Sequence, residues 1–558
     1  MTQGVALELS GDGSTSPRAP AGGSLAVSVP RTLPPAGAPA AGGGKRVLVL
    51  GAGFVSGPVL EFLLRAPGTR VTVASLLVAE ATALVARVAT APSAAARCAA
   101  VQLDVARDAS RLESLIREAD LVISLVNAPF HPAIARVAIA ARVHMVTASY
   151  VSPEMRALSA AAAEAGVAVL SEAGLDPGID HMSAMRMIDA ARAEGAVVVG
   201  FSSTCGGLPA PEAANNPLGY KFSWSPRGAL GAARNAARYL RAGAVVEVAP
   251  DALLTSAARL RVNPAFALEV LPNRDALPYA ELYGIAGPAL RDMFRGTLRY
   301  GGFAAHMHAL AALGLLDAEP PRALPPGVRG APSMRELLAA HAGAPAGAAA
   351  SDEELVAAAL RTVSASTAGA VGGTFAALSA SASSLAGLAA AALAAASGAV
   401  LGTDVARAGE LRDFLAWLGL LSSAPAPFAS APGAPPPAAA GTYSPLDTLT
   451  AMLTALPEMS YAPGERDMAL MRHELTLELP GGRRERRTGT LIQYAQGGHT
   501  AMARTVGYTA AAAAQLLLQG AVPHAGGVIV PTTREWYEPI LNMLEAEGIT
   551  MREEVEKV

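Results

Sequence analysis

The sequence predicts an α/β protein with a parallel sheet in its first half and a second, mixed sheet after it. From Arg46 to about Leu170, short apolar runs alternate with helix-length segments; the runs are RVLVL, RVTVA, AAVQL, LVISL, HMVTA and VAVL. This βαβ alternation is typical of a doubly wound parallel sheet. Beyond Gly195, the runs VVVGFSST, ELTLEL and TGTLIQYA predict strands of another sheet, and the chain between them is predicted to be helical.

Within the first domain, a glycine-rich turn follows the first predicted strand. The run KRVLVLGAGFVSGPV places Gly51 where a tight turn is needed and Gly53 where the backbone approaches a pyrophosphate. Ser56 and Gly57 keep the next helix close to the strand, and Pro58 is expected to open that helix. An ordinary glycine-rich turn is the alternative, but the position after a strand favours a Rossmann-type dinucleotide site.

The second phosphate of the cofactor is left undecided by the residues after the second strand. Ser75 stands where a strict NAD site has an acidic residue, and no arginine follows to hold a 2′-phosphate, so NAD and NADP both fit. Asp104, after the third strand, either contacts the adenine side or caps its own turn. Further cofactor candidates in these turns are Ala52, Phe54, Val55, Leu76, Val105, Leu125 and Val126.

Charge and cysteine content exclude several classes of protein. The 43 basic and 46 acidic side chains leave a formal charge of -3, without the surplus of a nucleic-acid or anionic-membrane binder. Cys98 and Cys205, the only cysteines, cannot build a disulfide scaffold or a four-cysteine metal site. His306 and His308 lack an evident third ligand, so we expect no catalytic metal. A small-molecule partner is expected instead.

Two segments bear on membrane attachment and location. The stretch between Arg361 and Asp404 has no charged residue, but it is mostly Ala, Ser and Gly and lacks aromatic anchors, so we expect no membrane span. Residues 1–44 contain acids and no continuous apolar run, and are predicted to be a disordered lead-in or linker. A cytoplasmic protein is expected, with an organellar address in 1–44 left open.

Several longer strings together resemble the glutamate-forming saccharopine dehydrogenase family: GAGFVSGPV, SYVSPEM, EAGLDPGIDHM, LPNRDA and RGTLRYGGF. The resemblance covers nearly everything from Lys45 onward except an Ala-rich segment of about 343–409. VASLLVAEA is more similar to the plant-type members, which are often fused behind a lysine-ketoglutarate reductase. The resemblance implies NAD(P)-dependent oxidation of saccharopine to L-glutamate and 2-aminoadipate 6-semialdehyde in lysine metabolism, or the reverse reductive amination.

The resemblance also implies an architecture and partners. We expect a Rossmann-type doubly wound parallel sheet plus a mixed α/β substrate and dimerisation domain with a helical insertion. The expected parts are a lead-in at 1–44, the NAD(P)-binding domain at 45–175 joined by C-terminal helices of about 520–558, the substrate domain at 176–280 and 455–519, and the insertion at 281–454. A homodimer is implied, and the chain is either independent or a fragment or partner of a lysine-ketoglutarate reductase.

Saccharopine carries three carboxylates, so its pocket requires cationic anchors. Carried over by motif, Arg274 and Arg295 are expected to clamp carboxylates, although solvated or structural arginines are the alternative. The implied substrate residues are Ser149, Tyr150, Asp176, Arg274, Arg295, Gly296 and Thr297. Leu175, Pro177 and Trp224 are implied near the cofactor.

Four residues are candidates for chemistry. Asp176 either bonds its own turn or steadies an iminium, and Tyr150 either orients the amine or a water, or is a wall aromatic. Lys221 is a candidate acid, base or carboxylate binder because lysine is scarce in this chain. Cys205 resembles a position near the reacting centre, without implying covalent catalysis. We interpret His181 as structural.

Two rival functions are open. One is a related enzyme acting on another amine, of the carboxynorspermidine or homospermidine synthase type; PNRD with RGTLRY argues against it, because polyamines need no carboxylate clamps. The other is a non-catalytic NAD(P)-binding regulator, which the intact Asp176, Tyr150 and arginine motifs disfavour.

Overall fold

The computed structural model describes residues 44–318, 322–323, 332–344, 351–378, 404–424 and 442–557. The strands, in chain order, are β1 Arg46–Leu50, β2 Arg70–Ser75, β3 Cys98–Gln102, β4 Leu121–Ser124, β5 His144–Thr147, β6 Ala168–Leu170, β7 Val197–Pro209, β8 Ala237–Arg241, β9 Ala244–Val248, β10 Ala258–Leu260, β11 Leu268–Pro272, β12 Asp292–Tyr300, β13 Arg322–Ala323, β14 Thr442–Tyr443, β15 Asp467–Glu478, β16 Arg484–Tyr494, β17 Gly527–Ile529 and β18 Arg552–Lys557.

The helices of the described residues, numbered in the same way, are α1 Ser56–Leu64, α2 Val78–Val88, α3 Pro92–Ala95, α4 Ala109–Arg117, α5 His131–Ala141, α6 Pro153–Arg156, α7 Ser159–Glu164, α8 Ile179–Ala193, α9 Pro226–Gly231, α10 Pro278–Leu282, α11 Phe303–Ala312, α12 Met334–His341, α13 Asp352–Leu378, α14 Asp404–Trp417, α15 Pro445–Ala455, α16 Ala501–Gln519 and α17 Arg534–Ala546. Of the lead-in predicted at 1–44, residues 1–43 lie outside the described residues.

The first sheet is parallel throughout, in the order β17-β6-β5-β4-β1-β2-β3. Its central strands are covered on both faces, and Leu48, Val49, Val122 and Ile123 are at most 1% exposed. Burial on both faces explains why these strands are continuous apolar runs. All six predicted runs are strands, which confirms the doubly wound parallel sheet.

The second sheet is mixed, in the order β10-β11-β12-β7-β15-β16-β18, with β8 and β9 attached beside β12. The pair β7 and β12 is parallel, and the other described pairs are antiparallel. The three runs predicted after Gly195 are β7, β15 and β16. The expectation of a helical insertion over 281–454 is wrong for β12, which lies inside this sheet. The pattern of β12 hides it, because Arg295 and Arg299 occupy buried positions of the strand.

Helices α11 to α15 pack around a core of their own. Leu310, Leu338, Leu415 and Leu453 in this core are completely buried. Within the Ala-rich segment predicted at 343–409, α13 and the start of α14 are described and the stretch between them is not. No helix among the described residues is both long and apolar enough to span a membrane.

The C-terminal segment joins both sheets. β17 extends the first sheet beside β6, and α17 packs against α8 and α16. β18 then pairs with β16 at the edge of the second sheet. The segment 520–558 is expected to join the first domain through helices. In the structure, β17 makes this connection, and β18 belongs to the second sheet.

Helix α16 crosses α1 directly behind the glycine-rich turn. A side chain at Gly507 would place its Cβ 2.7 Å from the carbonyl oxygen of Val55 and 3.0 Å from Cβ of Pro58. The alanines of α16 from Ala510 to Ala514 are completely buried. Small residues thus let the two backbones approach closely, and this contact holds the turn against the second domain.

We predict that Gly507→Ala lowers the free energy of unfolding by about 1–3 kcal/mol, because the added methyl group overpacks the crossing of α16 and α1. Gly231→Ala is the matched control, since a Cβ at Gly231 meets nothing within 4 Å. The measurement is the midpoint of urea unfolding. Equal midpoints for the two variants would contradict the tight contact.

Candidate active site

The glycine-rich turn after β1 has the geometry of a pyrophosphate cradle. Gly51 has φ +103° and its N–H donates to the Ala74 carbonyl at 2.8 Å. The Ser56 hydroxyl donates to the Gly51 carbonyl at 3.0 Å, while a Cβ at Gly53 would meet nothing within 4 Å. The helix begins at Ser56, two residues before the expected start at Pro58. Pro58 therefore lies within the first turn, where proline is tolerated because the N–H groups there have no partner in the helix. The residues present fit a bound dinucleotide.

The ribose side of this site lies at the ends of β2 and β3. Ser75 ends β2 and Leu76 beyond it is 49% exposed. The Asp104 carboxylate accepts the N–H of Ala106 at 2.9 Å, so it caps its own turn, the second of the two roles considered for it. Val105 beside it is partly buried. No side chain here decides between NAD and NADP.

The other cofactor candidates divide by position. Leu125 reaches the same edge of the sheet as the turn, since its carbonyl oxygen lies 3.1 Å from a Cβ built on Gly51. Trp224 lies elsewhere: its indole N–H donates to the Tyr220 hydroxyl at 3.0 Å and it packs on the core of the helical region. The glycine-rich turn contains Ala52, Phe54 and Val55. Val126 follows β4, and Leu175 and Pro177 flank Asp176.

An ionic centre of four residues, Tyr150, Asp176, Asp180 and Arg295, lies between the two sheets. Arg295 Nη2 donates to Asp176 Oδ1 at 2.7 Å and to Asp180 Oδ2 at 2.6 Å. The Tyr150 hydroxyl donates to Asp176 Oδ1 at 2.6 Å. Tyr150 follows β5, the two aspartates lie before and within the first turn of α8, and Arg295 lies on β12. Residues predicted from three separate motifs therefore meet here.

The pKa values of the two carboxylates in the ionic centre are shifted in opposite directions. Burial raises the pKa of Asp176 above its ordinary value, and the charge of Arg295 offsets only part of this effect. Burial acts the same way on Asp180, but His181, Arg295 and the Gly178 N–H outweigh it and hold the pKa of Asp180 below its ordinary value. Burial raises the pKa of Tyr150, so its hydroxyl stays protonated. Asp176 is thus the carboxylate suited to gain and lose a proton.

A second layer of buried groups supports Asp180. His181 bonds Glu172 through Nε2 at 2.6 Å and the Tyr283 hydroxyl through Nδ1 at 2.7 Å, and Nδ1 lies 3.7 Å from Asp180. Burial lowers the pKa of His181, but Asp180 and Glu172 outweigh it, so the net pKa is raised. Glu172 also accepts the Val151 N–H at 2.9 Å. Sequence reasoning missed Asp180, Glu172 and Tyr283, because only folding brings them together.

Arg295 is the predicted clamp for a substrate carboxylate, and in the structure it pairs with carboxylates of the protein. Its side chain is 2% exposed, and Nη2 pairs with both Asp176 and Asp180. Its guanidinium also lies over the Tyr279 ring, 4.1 Å from the centroid. Arg295 therefore orients Asp176, and its role as a clamp for a substrate carboxylate stays a prediction.

A cavity adjoins the ionic centre and contains Arg274. Arg274 is exposed, has φ +54°, and its guanidinium lies 5.6 Å from the centroid of the Tyr150 ring. A left-handed conformation at a residue other than glycine costs energy and is often found at functional sites. The cavity is lined by Ala229, Ala232, Ala233, Asn235, Leu253, Leu271, Pro272, Asn273, Arg274, Thr297, Arg299 and Phe303. Thr297 lines this cavity, while Gly296 is buried in β12 opposite Pro272; contact of either residue with substrate stays a prediction.

Ser149 is hydrogen-bonded to a buried histidine, His131, which the sequence analysis did not select as a site residue. His131 bonds the hydroxyls of Ser124 at 3.0 Å, Ser149 at 2.9 Å and Thr147 at 3.1 Å. Burial lowers the pKa of His131 to about 4, so the ring is neutral at pH 7. The sequence signal for His131 is its place just after the turn SLVNAP, residues 124–129, which follows β4 at the carboxyl edge of the sheet.

Lys221 and Cys205, two of the candidates for chemistry, are both buried and lack the geometry or ionisation that a catalytic role needs. The Lys221 ammonium is 2% exposed and pairs with Glu465 at 2.6 Å, so it has the geometry of a structural ion pair rather than of an acid or base. Cys205 lies on β7 opposite Thr297, and burial, then Asp176 and Asp180, raise the pKa of its thiol far above the ordinary value. The thiol stays protonated and unsuited to attack. Among the described residues, no group of three or more His, Cys, Asp or Glu could hold a metal ion.

Two family models and several known proteins match this chain. The family model of the saccharopine dehydrogenase NADP binding domain matches residues 47–170, and that of the saccharopine dehydrogenase C-terminal domain matches residues 174–549. The chain is 35% identical to the saccharopine dehydrogenase (NADP(+), L-glutamate-forming) of Saccharomyces cerevisiae over 91% of this chain and 99% of the relative. The solved apo structure of the L-Glu-forming saccharopine dehydrogenase of that yeast matches with a TM-score of 0.72, 35% identity, and coverage of 92% of this chain and 100% of the other.

A bovine relative is longer. The chain is 36% identical to the mitochondrial alpha-aminoadipic semialdehyde synthase of Bos taurus over 90% of its own length, but it spans only 47% of that relative. The chain thus spans about half the length of this relative and nearly all of the yeast one. The similarity of VASLLVAEA to plant-type members stays a prediction.

We predict that Arg295→Gln lowers the free energy of unfolding by about 3–5 kcal/mol, because it leaves Asp176 and Asp180 buried without their cation. Arg274→Gln, at an exposed position, should change it by less than about 1 kcal/mol. Urea unfolding of both variants provides the measurement. An Arg295→Gln variant as stable as Arg274→Gln would mean that the ionic centre does not hold the fold together.

Proposed function

The chain belongs to the saccharopine dehydrogenase family, and from this membership we propose that it oxidises saccharopine to L-glutamate and 2-aminoadipate 6-semialdehyde with NADP or NAD. The observation that carries the proposal is the meeting of Tyr150, Asp176 and Arg295 beside a cavity that contains arginine but no carboxylate. A substrate with three carboxylates and a secondary amine complements such a site. The reverse reaction is the reductive amination of the semialdehyde by glutamate.

The oxidation needs a hydride acceptor and a place for a proton. A nicotinamide cofactor bound at the glycine-rich turn supplies the acceptor for the hydride on the carbon beside the secondary amine. The amine must first lose its extra proton, because only its free lone pair can stabilise the resulting iminium. Asp176 Oδ1 is taken by Tyr150 and Arg295, whereas Oδ2 accepts no hydrogen bond from the described residues, so Oδ2 is placed to take this proton.

The remaining groups orient the reaction. The Tyr150 hydroxyl, protonated at neutral pH, keeps Asp176 in place, and the Tyr150 ring lies 5.6 Å from the Arg274 guanidinium. Water then adds to the iminium carbon; its oxygen becomes the aldehyde oxygen, and the C–N bond breaks to release the amine of glutamate. Asp176 returns a proton to that leaving amine.

We propose a homodimer and a cytoplasmic location on family resemblance, and either an independent enzyme or a fragment or partner of a lysine-ketoglutarate reductase. The polyamine-type rival would not use the arginines of the cavity. The non-catalytic rival would bind cofactor without turnover.

The proposed reaction is tested by supplying saccharopine with NADP and, separately, with NAD at alkaline pH. We expect reduced nicotinamide to accumulate, because alkaline pH favours the free amine, and L-glutamate to form in equal amount. The measurement is absorbance together with glutamate analysis. Absence of turnover with both cofactors, in protein that binds NADP, would reject the proposal and favour the non-catalytic rival.

A pH profile tests the role of Asp176. Because burial raises the pKa of Asp176 above its ordinary value, kcat/KM should fall as the pH drops through that raised pKa, where the carboxylate becomes protonated. Asp176→Asn should lower kcat by about 10²–10⁴-fold and remove this acidic limb. Asp251→Asn, at an exposed position, is the control. A variant at Asp176 that keeps the wild-type limb would show that another group accepts the proton.

A further inference from the structure

Arg299 is a buried cation whose hydrogen bonds are incomplete. The residue is 6% exposed, and Nη1 donates to the carbonyl oxygen of Leu298 at 2.7 Å. Its Nε has no hydrogen-bond partner among the described residues. The guanidinium lies 4.9 Å from the ring centroid of Tyr220 and 5.1 Å from that of Phe303. Burial lowers the pKa of Arg299, although an arginine stays charged at neutral pH.

The surroundings of Arg299 contrast with those of Arg295. Arg295 is paired with two carboxylates, whereas no carboxylate of the described residues lies within ion-pairing distance of Arg299. Glu269 is the carboxylate that influences Arg299 most, and it is engaged by the N–H groups of Ala304 at 2.6 Å and Gly302 at 3.3 Å at the start of α11. A buried cation without a counter-ion is costly. An anionic ligand would remove that cost.

The cavity into which Arg299 opens has the chemistry of an anion site. Its charged lining groups are Arg274 and Arg299, and its neutral polar ones are Asn235, Asn273 and Thr297. Its volume is about 30 Å³, which is room for a group of carboxylate size. Two cations and no carboxylate in the lining select a ligand with negative charge.

Spacing along β12 places Arg299 at the far end of a bound substrate. Residues 295, 297 and 299 point to the same face of the strand, because side chains alternate. The Cα atoms of Arg295 and Arg299 are about 13 Å apart at the usual rise of a strand. Since Arg295 holds Asp176 at the reacting nitrogen, Arg299 is suited to a carboxylate remote from that nitrogen.

We propose that Arg299 anchors the carboxylate of saccharopine that lies farthest from the secondary amine, on the aminoadipate side. This inference rests on the proposed function and names the residue that selects the substrate by its remote charge. In this arrangement Arg274 faces the carboxylates nearer the reacting nitrogen, and Arg295 positions Asp176.

The test compares Arg299→Met, which keeps the bulk and removes the charge, with Arg484→Met, the same change at an exposed arginine of the same sheet. We expect Arg299→Met to raise KM for saccharopine by on the order of 100-fold, as when one partner of a buried charge pair is removed, with kcat changed far less and NADP affinity unchanged. Arg299→Lys should be intermediate, because it keeps the charge without the fork. Wild-type NADP binding reports that each variant is folded.

A substrate analogue separates anchoring from a structural effect. One analogue is saccharopine with its aminoadipate carboxylate converted to a primary amide. Its KM with the wild type should be raised about as much as the KM of Arg299→Met for saccharopine is raised. In the Arg299→Met variant, the same amide should raise KM little further. The amide at either glutamate carboxylate should instead add to the effect of the variant. An unchanged KM for Arg299→Met, or additive losses with the aminoadipate amide, would overturn the inference.

Failure of the proposed function gives a different result. If wild-type protein does not turn over saccharopine, that function is rejected, and saccharopine binding in the presence of NADP is then titrated by calorimetry. Binding by the wild type that weakens on the order of 100-fold in Arg299→Met would still support the anchor. No binding by the wild type, or equal binding by both proteins, would overturn it.

Discussion

The arrangement depends on one guanidinium, that of Arg295, placed between Asp176 and Asp180. Arg295 belongs to the second sheet, whereas Asp176 lies in the loop that leaves the first sheet, and Asp180 lies in the first turn of the connecting helix. Two charge-assisted hydrogen bonds in a buried position therefore join the nucleotide-binding part to the substrate part. Displacing any of the three would leave an uncompensated buried charge, so their relative positions are strongly restricted.

This constraint also explains the chemistry of the two aspartates. Both share one cation, but Asp180 has His181 beside it and accepts the Gly178 N–H, whereas Asp176 accepts the Tyr150 hydroxyl. Their pKa values move in opposite directions for this reason. Environments that push two carboxylates apart in pKa commonly assign one to proton transfer and the other to structure.

The cofactor turn is held by a different kind of contact. Helix α16 meets α1 through Gly507 and buried alanines, so backbone proximity replaces large side chains. The chain then returns through β17 to the first sheet and through β18 to the second. The two parts are therefore joined both by close backbone packing and by the ionic centre.

The sequence by itself determined the parallel sheet, the glycine-rich turn and the motifs that contain Tyr150, Asp176, Arg274 and Thr297. Apolar period, turn chemistry and family resemblance are local properties, so they can be read without coordinates. It misplaced β12, because buried arginines obscure the apolar pattern of that strand.

Only the tertiary structure decided what the charged residues do. Two arginines four positions apart on one strand differ because Arg295 meets two carboxylates and Arg299 meets none among the described residues. Lys221 pairs with Glu465, 244 positions away in the chain. The role of a charge depends on its desolvation and its counter-ion, and both are set by groups distant in sequence.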